Sequence, residues 1–88
     1  MRVNDQMILR KIAGENVLLP VGEMMNTFRG IMSLNGSGLL LWERLQTDCT
    51  EAELISAVLE EYDVDEATAA KDVREFLAQL EGAGILIR

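Results

Sequence analysis

The chain of 88 residues has no histidine, one cysteine, one proline, one tryptophan, one tyrosine and two phenylalanines. The missing imidazole removes the side chain that most often serves as a general base near neutral pH and as a zinc ligand. The single thiol, Cys49, can form neither an internal disulfide nor a multi-cysteine metal site, and it fits a reducing compartment. Cations are scarce too: 8 Lys and Arg stand against 15 Asp and Glu, a net charge of −7. A surface of that sign repels phosphate backbones. No apolar run approaches the ~18 residues of a membrane helix. The opening Met1-Arg2-Val3-Asn4-Asp5 lacks the apolar region of a signal peptide, so the expected location is the cytoplasm.

What the chain does have is a folding composition, 49% hydrophobic and 26% charged. Its length allows one domain with one modest core. The first six residues are polar and expected to be loose, leaving residues 7–88 as the domain. The period of the apolar residues changes once, around Asn35. Upstream, Phe28 to Leu34 alternates as a strand does. Downstream, Gly36-Ser37-Gly38 opens a helix through Leu39, Leu40, Leu41 and Trp42, with Asn35 or Ser37 as its cap. The crowded apolar run predicts deep burial for Leu40.

Upstream of that joint the pattern is sheet. Met7 to Ile12 and Asn16 to Pro20 form a hairpin across the short Ala13–Asn16 turn. Pro20 cannot donate to a ladder and marks a strand end or an edge. Met24 and Met25 belong to a connection, with core as their expected use. Downstream the pattern is helix. The first helix runs from about Gly36 to Leu45. Thr50 and Glu53 have the spacing of a capping box, and Cys49 and Leu54 that of a hydrophobic staple, which gives Cys49 a structural job. The second helix carries Leu54, Ile55, Val58, Leu59 and Tyr62 as one stripe. Asp65 caps a third helix to about Glu81, which Gly82 and Gly84 terminate. The fold class predicted is α+β and winged-helix-like: an N-terminal three-stranded antiparallel sheet followed by three helices. Its core is Leu34, Leu41, Trp42, Leu45, Ile55, Leu59, Val73, Phe76, Leu77 and Leu80.

No constellation for catalysis emerges. Gly36-Ser37-Gly38 has no following lysine and is not a phosphate loop. The run Asp63, Asp65, Glu66 fails as a calcium loop, because Ala67 and Thr68 stand where an oxygen ligand and a glycine are needed. Glu60 and Glu61 sit at an exposed helix end. No enzyme activity, metal or cofactor is expected. The charge is uneven. Residues 1–42 carry four basic and three acidic side chains, residues 43–88 four basic and twelve acidic. The helical half is therefore the acidic one.

An ordered set of segments resembles the PqqD family, that of the pyrroloquinoline quinone biosynthesis protein D. The segments are Ser33-Leu34-Asn35, then Gly38…Leu41-Trp42-Glu43-Arg44-Leu45, Thr50-Glu51-Ala52-Glu53-Leu54, Glu60-Glu61-Tyr62, and Asp72-Val73…Phe76-Leu77…Leu80…Gly84-Ile85-Leu86. Together they cover about residues 7–88. The resemblance implies a non-enzymatic domain that binds the leader segment of a ribosomally made precursor peptide. It would present that leader to a modifying enzyme, often a radical S-adenosylmethionine protein. The resemblance also implies that the leader lies between the third strand and the third helix.

On this sequence the strand side would be Phe28, Arg29, Gly30, Ile31, Met32 and Ser33. A free strand edge offers backbone groups to an extended peptide, and alternate peptide side chains supply specificity. The helix must supply the other wall. With its core face centred on Val73, one flank holds Lys71, Arg74 and Ala78. The other holds Thr68, Asp72, Glu75 and Gln79. The first flank is favoured here, for the space beside Ala78 and because Lys71 and Arg74 are this helix's cations; the second remains open. Two other functions remain: a winged-helix nucleic-acid-binding regulator, which the charge opposes, and a dimerisation module whose free edge pairs with a second copy.

Overall fold

In a computed structural model, which describes residues 1–28, 31–34 and 36–88, the chain begins with strand β1, Arg2–Val3. A hairpin follows, built from β2, Met7–Ile12, and β3, Glu15–Pro20, with Ile12 opposite Glu15. Ala13 and Gly14 between them both have positive φ, 52° and 83°. That is the backbone of a two-residue type I′ turn, whose twist matches the strands it joins. A short helix α1, Met24–Thr27, leads to β4, Met32–Leu34, which pairs antiparallel with β3. The sheet order is β2-β3-β4, so β2 and β4 are its edges. Three helices follow: α2, Ser37–Arg44; α3, Glu51–Glu61; and α4, Glu66–Gly82. Strand β5, Leu86–Ile87, closes the chain against β1. The expected α+β layout of a three-stranded antiparallel sheet followed by helices is what forms.

The helix boundaries follow from side-chain chemistry where that chemistry is local. Thr50 Oγ1 accepts from the Glu53 N–H at 3.1 Å, and Glu53 Oε1 accepts from the Thr50 N–H at 2.9 Å. This is the reciprocal capping box that satisfies two orphan donors at once. Asp65 Oδ1 accepts from the Thr68 N–H at 2.7 Å and caps α4. At the other end of α4, Gly84 turns left-handed at φ 75°. There the Ile85 N–H reaches the Leu80 carbonyl at 2.9 Å and the Gly84 N–H the Glu81 carbonyl at 3.1 Å. The pair is a Schellman closure, which needs a residue free of Cβ strain. The start of α2 differs from expectation. Its cap is Gly36, with no side-chain cap hydrogen bond; Ser37 is already helical, and Asn35 lies outside the described residues.

One core joins sheet and helices: Leu18, Leu34, Leu41, Trp42, Leu45, Leu54, Val58, Val73, Phe76, Leu77 and Leu80 are all buried in it. Several expectations are corrected. The N-terminal residues are not loose, because β1 pairs with β5 and Val3 is buried. The third strand does not begin at Phe28 but at Met32, because residues 24–27 coil into α1 and Phe28 closes it. In α3 the buried stripe is Leu54, Ala57 and Val58, which turns Leu59 out to 37% exposure and leaves Ile55 half-buried. Leu40 is half-buried rather than deep. Of the two methionines, Met24 is buried and Met25 is 66% exposed. No helix among the described residues is long and apolar enough to cross a membrane.

Candidate functional site

Among the described residues strand β4 pairs with β3 alone: Met32 opposes Leu18, Ser33 opposes Val17 and Leu34 opposes Asn16. Its outer side is a sheet edge, and such an edge presents backbone donors and acceptors without ladder partners. Side chains alternate along it. Leu34 is buried, Ser33 is exposed, Met32 packs on the core, and Ile31 just upstream is 62% exposed.

A groove of ≈ 260 Å³ runs beside this edge, lined by Ser33, Leu34, Ser37, Gly38, Asp72, Glu75, Phe76 and Gln79. Three elements build it. Strand β4 gives one wall, and the first turn of α2 closes one end. The other wall is a stripe of α4 in which Asp72, Glu75, Phe76 and Gln79 follow the i, i+3, i+4, i+7 spacing of one helix face. Phe76 belongs to both the core and the groove, being 8% exposed. Gly38 leaves a slot beside it. A Cβ there would lie 3.5 Å from Phe76 Cε1 and 3.7 Å from Leu34 Cδ2. A second hollow, of ≈ 250 Å³, shares Ser33 and Leu34 and extends to Gly14, Glu15 and Asn16 of the hairpin.

The structure thus brings Ser33 together with the flank of α4 that was not favoured. Arg74 lies on the other side, where its Nε stands 3.6 Å from Glu51 Oε1 of α3. Lys71 and Ala78 are exposed and do not line the groove. The Arg74–Glu51 contact puts this flank on the α3 side of α4, away from the groove beside β4. Of the strand-side candidates, Ile31, Met32 and Ser33 are at or beside the free edge. Phe28 is set back, its N–H bonded to the Met24 carbonyl at 2.8 Å. Arg29 and Gly30 lie outside the described residues. Gly38, Ser37 and Leu34 also line the groove, which the sequence does not signal because it explains each as joint, cap or core.

The groove's polar groups are two carboxylates, two hydroxyls and one amide, over an apolar floor. None of them is a nucleophile paired with a base. Among the described residues no three His, Cys, Asp or Glu side chains gather closely enough to hold a metal ion. Cys49 stands apart, half-buried at the start of α3. Burial raises its pKa, the N-terminal ammonium counters that, and Glu53 and Asp48 add to it. A raised pKa leaves little thiolate and a sluggish nucleophile. The arrangement can hold an extended chain by its backbone and sort its side chains.

The family model described as coenzyme PQQ synthesis protein D (PqqD) matches residues 15–86. Among solved structures, the chain is similar to TbiB1 in complex with the TbiA(beta) leader peptide. The identity is 28%, over 98% of this chain and 94% of that one, with a TM-score of 0.76. It shares its fold with a lasso peptide synthetase B1 complexed with the leader peptide, at 20% identity over 99% of this chain and 96% of that one, TM-score 0.75. No curated protein matches the chain significantly.

Proposed function

We propose that this chain, which belongs to the PqqD family, binds the leader segment of a ribosomally made precursor peptide and presents it to a modifying enzyme. The observation that carries this is the free β4 edge lying along a groove, in a chain similar over almost its whole length to a protein in complex with a leader peptide. The leader adds as a further strand beside Ile31, Met32 and Ser33. Backbone hydrogen bonds supply affinity that is blind to sequence, and the side chains turned toward α4 supply the discrimination. The chain performs no chemistry itself; it raises the local concentration of the precursor at the enzyme that does. A radical S-adenosylmethionine enzyme is the recipient that the family resemblance implies.

Hydrogen exchange tests the reading, using the synthetic leader of a candidate precursor peptide. Saturating leader slows exchange at residues 31–34 and 72–79 and leaves β2, the opposite edge, unchanged. Tight binding without slowed exchange at residues 31–34 would sink strand addition at this edge. Incubation with the precursor alone leaves its mass unchanged; a new mass would show that the chain is an enzyme.

A further inference from the structure

The groove carries a charge pattern that the strand edge alone does not require. Asp72 and Glu75 stand one helical turn apart on its wall, and among the described residues no cation lines it. Among the described residues neither carboxylate takes part in an ion pair, whereas Arg74 of the same helix is paired with Glu51 on the far side. Residues three apart on a helix have Cβ atoms roughly 5–6 Å from each other, so one ammonium or guanidinium can reach both. Next to this pair is the apolar slot over Gly38, between Leu34 and Phe76. From Phe76 to Asp72 the helix rises about 6 Å. Two residues of a strand advance about 6.6 Å. The spacing of neighbouring same-side residues of an added strand thus matches the rise along α4 between the slot and the acidic pair.

We propose that the groove selects leaders in which an apolar side chain and a lysine or arginine are separated by one residue. The apolar group seats between Leu34 and Phe76, and the cation lies against Asp72 and Glu75. This rests on the leader-binding function proposed above and names the class of peptide that the site takes. The acidic residues by themselves would mark nothing; it is their place beside a free strand edge and an apolar slot that gives them a ligand. Partial burial of Asp72 in the groove wall strengthens such a pairing relative to one at an open surface.

The probe is a displayed library of random twelve-residue peptides, selected on the full chain at moderate salt. A parallel selection uses a variant carrying Asp72→Lys and Glu75→Lys, with its fold checked by circular dichroism. Peptides enriched on the wild type carry Lys or Arg two positions from an apolar residue. Replacing that cation by alanine weakens binding about 2- to 5-fold. Peptides enriched on the variant carry Asp or Glu at the same spacing. Three results overturn the inference: selected peptides that slow exchange at residues 31–34 yet show no cation at that spacing, cations enriched without fixed spacing, or the same preference on both proteins. Selected peptides that bind without slowing exchange at residues 31–34 overturn leader binding at this edge itself, and the inference with it.

Discussion

Substitution at Gly38 separates what the groove does for binding from what its floor does for stability. Gly38 is the second residue of α2, and a Cβ there meets Phe76 and Leu34 at 3.5 and 3.7 Å, ordinary contact distances. Alanine therefore fits without displacing a neighbour. It also narrows the unfolded ensemble, an effect of about 0.4–1 kcal/mol where the backbone suits the new residue. Gly38→Ala is expected to raise stability by roughly that amount, which for a domain of this size is a melting shift of a few degrees, about 4–8 °C per kcal/mol. Gly38→Leu places a whole side chain in the slot where a leader side chain would sit. Denying the peptide that burial costs about 1.5–3 kcal/mol, or about 10- to 100-fold in affinity. The assays are thermal melting for both variants and calorimetric titration of the leader. A folded Gly38→Leu protein that binds the leader as tightly as wild type would refute occupation of this groove. A Gly38→Ala protein destabilised by more than about 1 kcal/mol would refute the open slot.

Three further outcomes follow from the packing. Phe76→Ala removes a ring shared by core and groove and should cost about 3–5 kcal/mol in urea unfolding, the lower end being favoured because one edge of the ring already faces the groove. Thr50→Ala deletes one of the two hydrogen bonds that close the start of α3 and should cost about 1 kcal/mol, read from the same transition. Asp65 responds to pH. The hydroxyl and N–H of Thr68 hold its carboxyl below the ordinary aspartate range. A carboxylate with a lowered folded pKa stabilises above its unfolded value and loses that contribution as the pH falls through the folded one. The stability gap between wild type and Asp65→Ala should therefore be widest near neutral pH and close on acidification through and below about pH 4; a gap independent of pH would refute the charged cap.

What could be read from sequence and what could not divides along the range of the forces involved. The Thr50–Glu53 box, the Asp65 cap and the hairpin turn are each settled within four residues, and each forms as their side chains require. The start of β4 fails that criterion. Residues 24–27 make a single turn of helix, too short for a period to show, so the alternation beyond them reads as strand from Phe28 onward. The two flanks of α4 fail it for a different reason. Periodicity locates the core face at Val73 but is symmetric about it, and nothing local tells left from right. That choice is made by where α3 lies, which the Arg74–Glu51 pair reports and which only the assembled fold reveals. The rarity of cations in α4 pointed to Lys71 and Arg74, yet rarity carries no information about direction. Gly38 carries half of the missing information. A residue without a side chain, one step into a helix that otherwise runs Leu-Leu-Leu-Trp, leaves room on one side of that helix, and the neighbour across the room is Phe76. Phe76 lies on the Asp72 side of the core stripe. The space at Gly38 is legible in the sequence, but the neighbour that gives it a side is set by the assembled fold.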